Sequence, residues 1–303
     1  MVEPAPPLPS WLRRELPYDR VQIECRGERM TAVDHGPRDA LTVLLVHGNP
    51  TWSFLWRKVI RALEGTDLRL VAPDLLGFGT SDKPRRASDH QLAMHVDHVV
   101  TLLDELGVDR FIAVGQDWGG PIAVGVAERL PDRVAGLVVG NTGVLAPARP
   151  FRSKAFHKFS HVPVISDVVF RGLMFPIPVM GRVQGDPSSL GARELAAYAW
   201  PLLNPLDRAG ALGMARMVPS SEQHPSTAVM DRIGAYVEAY DGPAALVWAR
   251  RDPILGRGLR RHREALPQAS VRESDAGHFS QEEIPELWAE AIREVADAAR
   301  AGG

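Results

Sequence analysis

The stretch FIAVGQDWGGPIAVGVAERL, residues 111–130, has the pattern of a strand, a sharp turn and a helix in immediate succession. Residues 111–115 form a continuous apolar run typical of a strand buried on both faces, and a proline in the first turn favours a helix over 121–130. The turn between them reads Gly-x-Asp-x-Gly, and glycines two positions before and after a strained residue relieve steric conflict there. We therefore predict a nucleophile elbow that presents Asp117 where a serine is usual. The alternative is that Asp117 only caps the following helix.

Apolar runs recur on both sides of this stretch and alternate with helical segments. They predict further strands at 21–24, 30–34, 42–46, 68–73, 134–140, 244–248 and 270–274, the first two as an antiparallel pair. Additional helices are predicted at 91–106 and 287–299. Continuous apolar strands separated by helices predict a mostly parallel central sheet with helices on both faces.

Residues 141–219 interrupt this alternation, because they are rich in proline and contain no clear strand pattern. Helical pieces are predicted within them at 154–160, 192–200 and 207–217. Since the segment lies between two strands of the sheet, we predict an inserted helical cap over 143–219. The α/β core would then comprise 1–142 and 220–303.

Bulk composition excludes several classes of protein. The chain has 303 residues, 45% of them hydrophobic, which is enough for one large domain or two modest ones. Its net charge of −2 offers no basic surface for nucleic acid or an anionic membrane. The single cysteine, Cys25, fits a reducing compartment, residues 1–9 lack the pattern of a secretory signal, and no apolar run is long enough to span a membrane. We therefore expect a cytoplasmic protein without nucleic-acid or membrane partners.

Two downstream residues complete a catalytic pattern with Asp117. Asp252 lies in WARRDP, residues 248–253, just past a predicted strand, and His278 lies in AGHF, residues 276–279, after the last one. Nucleophile, acid and histidine follow one another in this order in α/β hydrolases, so the α/β-hydrolase fold is predicted. The alternative for Asp252 is a turn residue before a proline. Among the ten histidines, only His278 is distinguished by its position.

The loop HGNPTW, residues 47–52, directly follows the third predicted strand. In this fold that loop supplies one backbone N–H of the oxyanion hole, and the residue after the nucleophile, here Trp118, supplies the other. His47 itself is expected to be a structural residue of the turn.

Three stretches resemble the haloalkane dehalogenase family: HGNPTWSFLWR (47–57), DLLGFGTSDKP (74–84) and GQDWGGPIA (115–123). The resemblance covers the core and is weakest in the cap. It implies Asp117 as nucleophile, His278 as base and Asp252 as acid, with Asn49 and Trp118 binding halide. It also implies a small halogenated aliphatic substrate, release of a halide ion and no cofactor. The sequence shows no cluster with metal-ligand spacing, and oligomeric state cannot be predicted from it.

Subgroups of the family differ at two positions that bear on these assignments. One subgroup carries its acid as a glutamate just after the sixth strand, where this chain has Asn141 and Thr142, which leaves Asp252 as the candidate. Another uses a cap tryptophan for the halide. Trp200 is the only tryptophan of the predicted cap, and because Asn49 is present, Trp200 is not required for halide binding.

Related families remain as alternatives. Epoxide hydrolases share the aspartate elbow but present cap tyrosines as proton donors, and the predicted cap contains only Tyr198. Fluoroacetate dehalogenases have an arginine directly after the nucleophile, where this chain has Trp118. A ligand-binding member without catalysis would need neither His278 nor Asp252, so the complete triad argues against that class.

Overall fold

The computed structural model describes residues 2–151 and 155–302. Within them, nine strands form one sheet in the order β1-β2-β3-β5-β4-β6-β7-β8-β9. The strands are β1 (Val2–Pro4), β2 (Arg20–Cys25), β3 (Glu28–His35), β4 (Thr42–Val46), β5 (Arg69–Asp74), β6 (Phe111–Asp117), β7 (Val134–Thr142), β8 (Ala244–Ala249) and β9 (Ser270–Ser274). The pairs β1/β2, β2/β3 and β3/β5 are antiparallel, and all other neighbouring pairs are parallel.

The strand predictions agree closely with this sheet. The predicted strands 42–46 and 270–274 have the observed bounds, while β6 and β7 each extend two residues further than predicted. β4, β5 and β8 are buried along their whole length, as continuous apolar strands of a covered parallel sheet should be. β1 was not predicted, because a three-residue exposed strand ending in proline carries no apolar pattern. The loop beginning at His47 consequently follows the fourth strand rather than the third.

Helices cover both faces of the sheet. They are α1 (Ser10–Arg13), α2 (Arg57–Ala62), α3 (Leu92–Glu105), α4 (Gly119–Arg129), α5 (Ala155–Ser160), α6 (Ile165–Asp167), α7 (Ala192–Ala199), α8 (Ala209–Arg216), α9 (Pro225–Ala239), α10 (Leu259–Ala265), α11 (Ser280–Glu283) and α12 (Pro285–Ala301). α4 packs with α3 and α9 on one face, and α12 packs with α2 on the other. The sequence predictions included α3, α4 and α12 but not α2, α9 or α10.

We refer to residues 143–219 as the cap segment, the range predicted to form the cap. It contains α5 to α8, a π-helix at Val168–Gly172 and a 3-10 helix at Ile177–Val183. The predicted helices 192–200 and 207–217 correspond to α7 and α8, and 154–160 corresponds to α5, although residue 154 lies outside the described residues. α9 follows the segment and packs on α3 and α4 of the core. The division at 142/143 and 219/220 stays a prediction.

The cap segment contacts the loops that follow the parallel strands. The Trp52 indole N–H donates to the Ala197 carbonyl oxygen at 3.1 Å, and the Asn49 side chain donates to that of Ala211 at 3.0 Å. The carboxyl ends of parallel strands are where α/β folds place their ligands. Among residues 2–151 and 155–302, no helix has the length and apolar character needed to cross a membrane.

Candidate active site

Asp117 is the last residue of β6 and has a φ of +51°, in the left-handed region that residues other than glycine rarely adopt. The two flanking glycines are required by close backbone contacts. A Cβ at Gly115 would lie 2.3 Å from the carbonyl oxygen of Gly119, and one at Gly119 would lie 2.1 Å from that of Val46. α4 starts at Gly119 without a side-chain cap, so the alternative of a helix-capping aspartate is wrong. The chain forms a strained turn that projects the Asp117 carboxylate.

A backbone N–H group holds one end of this carboxylate. The Asn49 N–H donates to Asp117 Oδ2 at 2.9 Å, and the neighbouring Trp118 N–H works with it to lower the pKa of the Asp117 carboxyl. These are the two N–H groups that the sequence indicated for an oxyanion hole. The Asn49 N–H can stabilise negative charge that develops on Oδ2 during a reaction.

His278 and Asp252 lie beside the elbow, at the ends of β9 and β8. His278 Nδ1 is 2.9 Å from Asp252 Oδ2, and His278 Nε2 is 3.8 Å from Asp117 Oδ1. Asp252 Oδ1 accepts N–H groups from Ile254 at 2.7 Å and Leu255 at 3.2 Å, which fix its orientation. The fold therefore brings the three predicted triad residues together in the order Asp117, His278, Asp252. The imidazole has its Nδ1 towards the acid and its Nε2 towards the elbow.

Asn141 is a residue of this site that the sequence analysis did not assign. Its Nδ2 donates to Asp252 Oδ2 and to the Ala249 carbonyl oxygen, each at 2.9 Å, and its Oδ1 accepts the Ala249 N–H at 2.7 Å. Asn141 and Thr142 are the two residues at which the resemblance places the glutamate of one subgroup. An amide there cannot act as the acid, but it can hold the acid of the neighbouring strand in place.

The pKa shifts of the triad follow from burial and mutual charge. Burial raises the pKa of Asp117, although the charge of His278 and the N–H groups of Trp118 and Asn49 oppose this shift. Burial also works to lower the pKa of His278, but the hydrogen bond and charge of Asp252, with the charge of Asp117, outweigh it and raise that pKa. Burial would raise the pKa of Asp252, yet its hydrogen bond to His278 and the histidine's charge hold it below the ordinary value. These opposite shifts favour a charged Asp252 beside a His278 that accepts protons more readily than an isolated histidine.

The side chains of Asn49 and Trp118 offer hydrogen-bond donors beside Asp117. One N–H of the Asn49 amide goes to Ala211, which leaves its second N–H available. The indole N–H of the half-buried Trp118 makes no hydrogen bond within residues 2–151 and 155–302. N–H groups that have no acceptor within the protein are suited to bind an anion such as a halide. A halide accepts hydrogen bonds but does not need to receive a proton.

Three other side chains named from the sequence have different surroundings. Tyr198 is fully buried, and its hydroxyl donates to Glu282 Oε1 at 2.5 Å, within an ion pair of Glu282 and Arg57. It is therefore engaged away from the triad and is not placed as a proton donor for an epoxide. His47 Nε2 accepts the Leu75 N–H at 3.0 Å, and burial lowers the pKa of His47 to about 4, in keeping with a neutral structural residue. Trp200 follows α7 and packs, half-buried, against the core.

In the described part of the chain, no group of three or more His, Cys, Asp or Glu side chains is arranged to hold a metal ion.

Known proteins resemble this chain in both sequence and fold. The family model for the alpha/beta hydrolase fold matches residues 42–285. A haloalkane dehalogenase of Mycolicibacterium paratuberculosis is 33% identical over 268 residues, which cover 87% of this chain and 86% of that protein. One of Mycobacterium marinum is 35% identical over 263 residues, 86% of each chain.

Solved structures agree with this relationship at the level of the fold. The crystal structure of the haloalkane dehalogenase DbeA from Bradyrhizobium elkani has a TM-score of 0.84 at 24% identity, covering 94% of this chain and 99% of that one. The haloalkane dehalogenase DatA from Agrobacterium tumefaciens has a TM-score of 0.80 at 26% identity, covering 92% and 96%. Because a family model spans most of its length and two haloalkane dehalogenases match most of it at 33% and 35% identity, the chain belongs to the haloalkane dehalogenase family of α/β hydrolases.

Proposed function

We propose that this protein hydrolyses the carbon–halogen bond of a small halogenated aliphatic substrate, with Asp117 as nucleophile and His278 and Asp252 as base and acid. The products are a primary alcohol, a halide ion and a proton. One observation carries the proposal: Asp117 Oδ2 is held by the Asn49 N–H, while Oδ1 lies 3.8 Å from His278 Nε2. One oxygen is thus bound as an oxyanion would be, and the other faces the base.

In the first step Asp117 Oδ1 attacks the carbon that bears the halogen. A new carbon–oxygen bond forms as the carbon–halogen bond breaks, and the halogen leaves with the bonding electrons as halide. No base is needed, because a carboxylate is the nucleophilic form of aspartate. The free N–H groups of Asn49 and Trp118 would stabilise the charge that develops on the leaving halide.

In the second step water attacks the carbonyl carbon of the resulting Asp117 ester. His278 Nε2 accepts the water proton, and Asp252 stabilises the imidazolium that forms. The former Oδ2, now the ester carbonyl oxygen, becomes negatively charged while it is bound by the N–H groups of Asn49 and Trp118. Collapse of this intermediate breaks the bond between the carbonyl carbon and the alkyl oxygen, which takes the proton from the His278 imidazolium and leaves as the alcohol. The Asp117 carboxyl then loses the remaining water proton, which is released as the product proton, and the carboxylate is regenerated.

Halide release from 1,2-dibromoethane and 1-iodobutane, measured beside hydrolysis of styrene oxide, tests the proposal. We expect halide release from at least one haloalkane to be faster than hydrolysis of the epoxide. Faster turnover of the epoxide than of either haloalkane would contradict the proposed reaction.

The halide donors can be tested by removing one N–H at a time. Trp118→Phe keeps most of the ring, and Asn49→Ala keeps the backbone N–H of the oxyanion hole. Loss of a donor to a charged group in a desolvated site costs about 1.5–3 kcal/mol, or roughly ten- to 150-fold in rate. We therefore expect both variants to slow the alkylation step and to weaken chloride and bromide binding, measured by quenching of tryptophan fluorescence.

Trp200→Phe is the matched control, since it removes an indole N–H from the cap segment. Tyr198→Phe is a second control, because a leaving halide needs no proton. Both should leave the alkylation rate near that of the wild type. A large loss in Tyr198→Phe together with normal alkylation in Asn49→Ala and Trp118→Phe would contradict halide binding by Asn49 and Trp118.

The acid limb of the activity should report the titration of His278. Below its pKa the imidazole is protonated and cannot accept the water proton, so the ester should accumulate as the pH falls. Although burial lowers it, Asp252 and Asp117 raise this pKa above the ordinary 6.5. Asp252→Asn removes the negative charge that contributes most to raising the pKa of His278, so the titration of His278 should shift to lower pH. The variant should also slow ester hydrolysis, because the imidazole ring is no longer held in the correct orientation. NMR titration of His278 in both proteins measures the shift, and an unchanged or higher midpoint in the variant would be the contrary result.

We also propose that the cap segment covers the site and that the enzyme is cytoplasmic, without nucleic-acid or membrane partners. The net charge of −2 and the single, buried Cys25 support this expectation.

A further inference from the structure

The catalytic histidine lies in a loop whose backbone needs partners from elsewhere. β9 ends at Ser274 and α11 begins at Ser280, so His278 and Phe279 belong to no strand or helix. Both residues are buried, at 2% and 3% exposure. Buried backbone N–H and C=O groups must be hydrogen-bonded, so the groups that satisfy them also fix the position of the imidazole.

Most of these partners belong to the cap segment rather than to the core. The His278 N–H donates to the Val183 carbonyl oxygen at 2.8 Å. The Phe279 N–H donates to Gln184 Oε1 at 2.8 Å, and Gln184 Nε2 donates to the Phe279 carbonyl oxygen at 3.1 Å. Outside the cap segment, Gln116 Nε2 donates to the His278 carbonyl oxygen at 3.0 Å, and the Glu282 N–H donates to the Phe279 carbonyl oxygen at 3.0 Å. The Gln184 amide thus pairs with the backbone next to the base as a neighbouring strand would.

The backbones of the two segments are also in close contact at two glycines. A Cβ at Gly277 would lie 2.3 Å from Gln184 Cα, and one at Gly185 would lie 2.3 Å from the Asp275 carbonyl oxygen. The Glu283 carboxylate accepts N–H groups from both sides, from Gly185 at 3.0 Å and from Gly277 at 2.8 Å. The cap segment and the loop between β9 and α11, which contains His278, are therefore joined by close packing and hydrogen bonds at this point.

We propose that Gln184 is a positioning residue, through which the cap segment sets the orientation of His278 for the hydrolytic step. The inference rests on the proposed function, because it assumes that Asp117 acts in the alkylation step and His278 in the hydrolysis of the ester. Asp117 is held by β6 and by the Asn49 N–H, which do not involve Gln184. Loss of the Gln184 amide should therefore impair water activation by His278 and spare the attack by Asp117.

The test follows the two steps separately in Gln184→Met, which keeps the length of the side chain and removes both of its hydrogen bonds to Phe279. Enzyme is mixed with 1,2-dibromoethane, quenched at intervals and analysed for bromide and for alkylated Asp117 peptide. We expect bromide release in the first turnover to proceed at close to the wild-type rate. Hydrolysis of the ester should slow by up to about a hundredfold, since a misplacement near 1 Å has an effect of that order. The alkylated peptide should consequently accumulate.

Ser189→Ala is the matched control, because Gln184 Nε2 also donates to Ser189 Oγ at 3.1 Å within the cap segment. It removes a bond of the same amide and leaves both bonds to Phe279, so the alkylated peptide should not accumulate. Thermal unfolding of each variant is measured alongside, since a purely structural residue would change stability without changing the ratio of the two rates.

If Gln184→Met leaves the ratio of the alkylation rate to the hydrolysis rate unchanged, whether both steps slow equally or neither slows, the proposal is overturned. If Gln184→Met does not fold, Gln184→Glu carries the test, because it keeps the acceptor for the Phe279 N–H but places a negative charge against the Phe279 carbonyl oxygen. Gln184→Glu should also raise the fraction of alkylated Asp117 peptide. An unchanged fraction would likewise overturn the proposal. A wild-type protein that releases no halide would refute the proposed function instead, which separates the two failures.

Discussion

Asp117→Ala is expected to abolish halide release, because the variant has no atom that can form the bond to the substrate carbon. Loss of a triad nucleophile lowers kcat by several orders of magnitude, about 10⁶-fold where it has been dissected in a serine protease. We expect neither His278 nor Asp252 to substitute, since the histidine serves only the second step of the proposed mechanism and Asp252 Oδ2 lies 2.9 Å from His278 Nδ1. Halide release from 1-iodobutane over long incubations measures the loss.

The φ of +51° at position 117 requires a second variant as a control. Alanine in a left-handed conformation costs about 1–2 kcal/mol, whereas glycine adopts it freely. Asp117→Gly should therefore be as inactive as Asp117→Ala while avoiding that conformational cost. Halide release near the wild-type rate from either folded variant would show that another residue is the nucleophile.

His278→Phe should stop the reaction after its first half. Phenylalanine is similar in size to histidine but cannot accept a proton from water, so the Asp117 ester should form and persist. One equivalent of halide per active site should be released rapidly, followed by almost no further turnover. Mass spectrometry after addition of 1,2-dibromoethane should find a bromoethyl group on the peptide that contains Asp117.

His262→Phe provides the corresponding control at a buried histidine outside the site. His262 packs against Trp248, with ring centroids 4.9 Å apart, and its Nδ1 bonds to the Gly258 carbonyl oxygen. This variant should turn over repeatedly without a trapped ester. An unmodified Asp117 peptide in folded His278→Phe would contradict the division of roles between the two residues.

The sheet and the triad could be predicted because their signals are local in sequence. β4 and β8 are buried on both faces, so each forms an uninterrupted apolar run that few other structures need. Asp117 and Asp252 lie at or just after the end of such a strand, and His278 follows the partly exposed β9, in the chain order of α/β hydrolases. The glycines on either side of Asp117 indicate the strained turn from the sequence alone.

The supporting amides could not be predicted, because their roles depend on partners far away in the chain. Asn141 binds Asp252, 111 residues later, and Gln184 binds Phe279, 95 residues later. An asparagine or glutamine has no periodicity or spacing that indicates such a partner. The strand β1 was not predicted for a related reason: its three residues are exposed and pair with β2, which an apolar pattern does not show.

A single turnover in heavy-oxygen water tests the central claim, covalent attack by Asp117, most directly. Enzyme in excess over 1-iodobutane is quenched after one turnover, and both the butanol and the Asp117 peptide are analysed by mass spectrometry. Because water attacks the carbonyl carbon of the ester, the alcohol should carry the original oxygen of Asp117, and the Asp117 carboxylate should gain one heavy oxygen. Heavy oxygen in the butanol of this first turnover, with an unlabelled Asp117 peptide, would show direct attack by water on the substrate and contradict the mechanism.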